Sequence, residues 1–130
     1  MDGRRNFIKS LGLLSLAPFI KSGKEKKQRE IFLFDFYIAG FKYYEGLRLI
    51  DNLKVNQTLI LVQKQTNKYD NQAIEIYTED EFKLGYVPAE SNIVPFNLFK
   101  KDITIKCFIK EIDIQADTWE MVFCGLNQII

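Results

Sequence analysis

Six short runs of β-forming residues, separated by polar turns and by one stretch of helical spacing, constrain this chain more than any other feature. In Ile31–Ala39, Phe32, Phe34, Phe36 and Ile38 alternate onto one face with Asp35 on the other, which predicts a first strand ending near Gly40. Gln57–Gln65 carries Leu59, Ile60, Leu61 and Val62, a second strand covered on both faces at its centre. Asn67 to Asn71 is a polar turn. Ala73–Tyr77 sets Ile74 and Ile76 against Glu75, Glu79-Asp80-Glu81 turns the chain, and Phe82–Val87 is a fourth strand stopped by Pro88. Ser91–Lys101 reads as the main helix, with its N-cap near Ser91 or Asn92, Pro95 in the first turn and Lys100 and Lys101 at its C-terminal end.

Strands at 102–114 and 118–126 complete the set. Apolar residues of the fifth occupy odd positions (Ile103, Ile105, Cys107, Ile109) and then even ones (Ile112, Ile114), which predicts a bulge near Lys110 or Glu111. In the sixth, Trp119, Met121 and Phe123 share one face, with Trp119 expected in the core and Cys124 on the opposite face. Cys107 and Cys124 then point apart, and no bridge between them is expected. The expected fold is mainly β: a small six-stranded, partly open barrel with one main α-helix between strands four and five.

A chain of 130 residues fits one such domain. Eleven Phe and six Tyr suit a pleated, half-buried surface. The absence of His removes His-based triads and ligands, and two Cys cannot complete a four-ligand zinc site. No phosphate-loop motif occurs. The expectation is therefore no catalytic residues, no metal and no cofactor.

Charge divides the chain. Residues 1–30 hold eight Lys or Arg against three acids, net +5, and residues 31–130 hold ten against fourteen, net −4. The second part lacks the basic excess of a duplex-DNA binder. In the first, Arg4-Arg5-Asn6-Phe7-Ile8-Lys9 looks like a twin-arginine export signal, and Leu11 to Ile20 is an apolar stretch too short to span a bilayer. Ser15-Leu16-Ala17 has a small-x-small form, but Pro18 would obstruct cleavage after it; the alternative is an N-terminal helix that stays attached. Lys21 to Glu30 has no apolar residue and reads as a solvated linker. The division is a leader at 1–20, a charged linker at 21–30 and a domain at 31–130.

Three stretches in register resemble the HIRAN domain family. Gly40-Phe41-Lys42-Tyr43-Tyr44-Glu45-Gly46 matches a Gly-x-basic-Tyr-Tyr-x-Gly motif, Asn67-Lys68-Tyr69-Asp70-Asn71-Gln72-Ala73-Ile74 matches Asn-x-Tyr-Asp-x-x-Ala-Ile, and Gly85-Tyr86-Val87-Pro88 matches the Gly-Tyr-Val-Pro before the family helix. Together they cover roughly 33–126. The resemblance implies a modified oligonucleotide-binding (OB-like) barrel that captures 3′-hydroxyl ends of single-stranded DNA. It assigns a nucleic-acid-binding role to Lys42, Tyr43, Tyr44, Asn67, Tyr69, Asp70 and Tyr86. A Tyr43 or Tyr44 ring would stack on a terminal base, one of the pair lying in the core and the other out. Lys42 would hold a phosphate, and Asn67 and Tyr69 a phosphate or sugar. Asp70 would accept from the free hydroxyl or, equally, cap its own turn. Residue 89 is Ala where the family is often basic, and Tyr86 stands where eukaryotic members have His. Gly40, Gly46 and Gly85 read as backbone requirements rather than ligand contacts.

Two functions follow. The first is a non-enzymatic module that weakly binds single-stranded DNA ends as a monomer. The second is an exported or membrane-tethered interaction domain of the same fold without DNA binding, with residues 1–20 meeting membrane or export machinery. The protein would be exported or membrane-associated with a functional leader, and cytoplasmic otherwise.

Overall fold

The computed structural model describes residues 29–64 and 70–130. The leader at 1–20, almost all of the linker, and Asn67 and Tyr69 lie outside the described residues. Six strands form the body: β1 (Glu30–Tyr37), β2 (Thr58–Gln63), β3 (Ile74–Tyr77), β4 (Lys83–Tyr86), β5 (Ile105–Ile112) and β6 (Val122–Ile129). Two short α-helices, α1 (Gly46–Leu49) and α2 (Ile93–Lys100), lie between β1 and β2 and between β4 and β5.

The strands hydrogen-bond in the order β1-β6-β5-β2-β3-β4, every neighbour antiparallel. The sheet curls but does not close along its length. Its edges meet at one bridge, where Ala39 N donates to Tyr86 O and Tyr86 N to Ala39 O, both at 2.9 Å. Phe36, Ile38, Leu59, Ile76, Ile109 and Leu126 fill the interior, and the rings of Phe96 and Phe99 from α2 pack against it. This is the partly open barrel expected, with its main helix between β4 and β5.

The phase switch in β5 is a register shift between Ile109 and Glu111. Pro95 lies in the first turn of α2, which starts after Asn92. Glu30, expected in the linker, already pairs with Ile129.

The ends of the last two strands differ from expectation. β5 spans only Ile105–Ile112, because α2 and its turn run on to Asp102. β6 begins at Val122, because Thr118–Glu120 forms a 3-10 turn that leaves Trp119 62% exposed rather than in the core. Val122, Cys124 and Leu126 therefore face inward, the reverse of the face expected. Cys124 joins Cys107 inside as a second free, buried thiol, and its hydrogen bond to Cys107, together with burial, pushes its pKa well up. A register shift between Phe32 and Phe34 likewise turns Phe32 outward, half exposed.

Candidate functional site

The turn after β1 opens at Gly40, whose φ of 72° is the left-handed conformation glycine adopts freely. The next residue, Phe41, is buried and fills the space over Gly46, where a Cβ would overlap its ring. Phe41 thus takes the core position, and both following rings turn outward: Tyr43 is 72% exposed and Tyr44 38%. The expectation of one Tyr in the core fails because Phe41 already occupies that place. Lys42 is exposed, its Nζ 5.2 Å from the centroid of the Tyr43 ring.

The β3–β4 hairpin supplies the facing wall. Glu75 pairs with Tyr86, Ile76 with Gly85, and Tyr77 with Lys83, so Leu84 is an extra residue on β4. That bulge shifts the side-chain phase by one. Lys83 and Tyr86, three apart, consequently emerge beside Glu75 and Tyr77. Gly85 has φ of 151°, and a Cβ there would overlap the Ala39 carbonyl oxygen. Only glycine lets the barrel edges meet at this point.

The four side chains form a connected polar cluster. Lys83 Nζ lies 2.8 Å from Glu75 Oε2 and donates to the Tyr86 hydroxyl at 3.0 Å, while the Tyr77 hydroxyl donates to Glu75 Oε1 at 2.9 Å. Lys64 approaches the same carboxylate at 4.0 Å. The Lys83 ammonium also sits 4.2 Å from the Tyr44 ring centroid and 4.4 Å from that of Tyr86, both cation–π distances. Burial disfavours the charged Glu75, but the hydrogen bonds from Lys83 and Tyr77 and the nearby ammonium charges outweigh it and hold the carboxyl below its ordinary value. Burial likewise opposes the Lys83 charge, and its bonds to Glu75 and Tyr86 overcome that and raise its pKa. Burial pushes the Tyr44 phenol up against the lowering pull of the Lys83 charge.

Tyr44 and Tyr86, edge to face with centroids 6.0 Å apart, line a cleft of about 500 Å³ beside the seam. Ala39, Ala73, Val87 and Ala89 form its apolar lining, and Asp70 also borders it. Asp70 Oδ1 accepts from Gln72 N at 2.9 Å and Oδ2 from Asn92 Nδ2 at 2.8 Å, which closes the turn before β3 and ties it to the start of α2. Of the residues singled out in the sequence, Tyr44, Asp70 and Tyr86 come together here, whereas Lys42 and Tyr43 share the first turn without lining the cleft. Glu75, Tyr77 and Lys83 were missed. Their one sequence signal was a charged residue in each of two short, facing strands. Among the described residues, no cluster of His, Cys, Asp or Glu could hold a metal ion.

A half-closed antiparallel barrel with an aromatic cleft at its seam defines a small OB-like binding module. The chain belongs to the HIRAN domain family, whose model matches residues 31–118, and HIRAN domains are nucleic-acid-binding modules. A protein from Lactobacillus plantarum of known crystal structure is similar in fold, with a TM-score of 0.69 and 20% identity over 79% of this chain and 98% of that one. The HIRAN domain of human HLTF is similar with a TM-score of 0.59 and 13% identity over 77% of this chain and 78% of that one. No curated protein matches the chain.

Proposed function

We propose that this domain binds single-stranded DNA, weakly and at free 3′-hydroxyl ends, and carries no catalytic activity of its own. The observation that carries the reading is the cleft itself, with two tyrosine rings and the Asp70 carboxylate on one lining of about 500 Å³. A terminal base stacked on Tyr44 or Tyr86 gains ~1–3 kcal/mol. Asp70 accepts from the terminal hydroxyl and repels a phosphate in its place. Lys42 and Tyr43 on the first turn, with Asn67 and Tyr69, meet the preceding sugar-phosphate. The net charge of −4 over residues 31–130 keeps the affinity low and its salt dependence shallow.

The test is a titration with fluorescent oligonucleotides of about ten nucleotides bearing 3′-hydroxyl, 3′-phosphate or only 5′ free ends. The hydroxyl end should bind best, and Tyr44→Ala should weaken it about tenfold or more. Equal affinity for all three would sink end capture. The acidic domain behind a twin-arginine-like segment favours a second reading, an exported or membrane-tethered interaction domain. Complete absence of oligonucleotide binding would decide for it.

A further inference from the structure

Among the described residues, Lys83 is the cation nearest the cleft rings, and it is not free to act as one. Its ammonium lies 4.2 and 4.4 Å from the Tyr44 and Tyr86 centroids and 2.8 Å from a carboxylate whose side chain is only 4% exposed. Glu75 is itself held by the Tyr77 hydroxyl, so the pair has little freedom to rearrange. We propose that Lys83 is a positioning residue that holds both rings at the cleft wall, and that Glu75, by cancelling its charge, keeps the cleft selective for an uncharged strand end. The proposal rests on the end-binding reading above.

The physical logic is geometric first. A cation near two aromatic faces fixes their relative orientation through the ring quadrupoles, and the bond to the Tyr86 hydroxyl fixes one ring further. An unpaired ammonium beside the cleft would attract a terminal phosphate as readily as a base. A buried carboxylate at hydrogen-bond distance removes that attraction while keeping the cation–π contacts. The β4 bulge makes this possible, because without the extra Leu84 the Lys83 and Tyr86 side chains would leave opposite faces of the strand.

The experiment uses the full chain, single-stranded DNA of about ten nucleotides ending in 3′-hydroxyl or 3′-phosphate, and three variants whose folding is checked by thermal melts. Glu75→Gln should raise affinity for the phosphate end roughly fivefold relative to the hydroxyl end, because the ammonium charge is no longer cancelled. Lys83→Met should weaken both ends roughly fivefold and shift the ring-proton NMR signals of Tyr44 and Tyr86 in the free protein. Lys83→Arg, which keeps the charge and stacks on rings, should restore both. If the wild type binds while Glu75→Gln leaves the ratio of the two ends unchanged, this inference alone falls. Unchanged Tyr44 and Tyr86 signals in Lys83→Met would also overturn it. A wild type that binds neither strand overturns the end-binding reading and this inference with it.

Discussion

Lys83 and Lys110 occupy matching surroundings in different parts of the sheet. Lys83 lies over Tyr44 and Tyr86 and pairs with Glu75 at 2.8 Å; Lys110 lies 4.8 and 5.6 Å from Phe32 and Phe123 and pairs with Asp35 at 3.0 Å. Burial separates them. The Glu75 side chain is 4% exposed and that of Lys83 21%, against 37% for Asp35 and 34% for Lys110. The same residue types therefore give an interlocked cluster at the cleft and a more solvated pair elsewhere on the sheet.

Glycines lie next to both groups, and they give the largest expected contrast. At Gly85 an added Cβ meets the Ala39 backbone carbonyl, and φ is 151°, so neither the neighbour nor the residue can adapt. At Gly125 it meets side-chain ends, Phe108 Cζ at 2.6 Å and Lys110 Cδ at 3.0 Å. Gly85→Ala should cost about 4 kcal/mol, combining backbone strain and overpacking, and Gly125→Ala about 1 kcal/mol. Urea unfolding of both variants checks this. Equal losses would mean that the seam yields as easily as a pair of side chains.

Removing the cleft lysine comes next. Lys83→Met leaves the Glu75 carboxylate buried with the Tyr77 hydroxyl, the Tyr86 hydroxyl at 3.5 Å and the more distant Lys64 as its remaining partners among the described residues. The expected loss is about 3 kcal/mol, because breaking one partner of a largely buried pair exposes the full desolvation penalty of the other. Against a typical stability of about 5–15 kcal/mol the variant should stay folded, so equilibrium urea unfolding remains readable.

The sequence made the architecture legible because its signals are local. The alternation of Ile74 and Ile76 marked β3, and the switch of apolar phase after Ile109 marked the β5 bulge. Tyr44, Asp70 and Tyr86 were reachable through short motifs that bracket turns. Glu75 was not, since alternation says only that it faces away from the isoleucines. What covers that face is Lys83 on the next strand, which in turn touches Tyr44 from a distant turn. The β4 bulge gave no signal, because Lys83 and Tyr86 at a spacing of three look like opposite faces. Trp119 was misplaced for a related reason, since apolar residues two apart at 119, 121 and 123 fit a strand and a 3-10 turn leading into one equally well.

Acid should expose the same difference at smaller scale. Glu75 has a folded pKa below the ordinary 4.5 of its carboxyl. The unfolded chain therefore binds more protons in that range, and stability rises with pH. This contribution is complete above pH 4.5 and lost as pH falls through the lower folded value. Melting temperatures of the wild type should drop more steeply below pH 4.5 than those of Glu75→Gln, which has no such proton to take up. Parallel acid limbs would show that the buried pair contributes nothing to pH sensitivity.

The smallest effect is expected at Lys110. Its ion pair with Asp35 is about one-third exposed on each side, and pairs of that kind contribute about 0–1 kcal/mol. The lysine stem runs over Gly125 towards Phe32 and Phe123, and methionine reproduces most of that apolar contact while losing only the charge. Lys110→Met should therefore lie within about 0.5 kcal/mol of the wild type at low salt. Near 1 M salt the Debye length falls to about 3 Å, comparable with the separation of the charges, and even that difference should shrink. Urea unfolding at both salt concentrations, with Asp35→Asn as the reciprocal variant, provides the measurement. If Lys110→Met costs as much as Lys83→Met, or if its effect persists undiminished in salt, burial is not what distinguishes the two lysines.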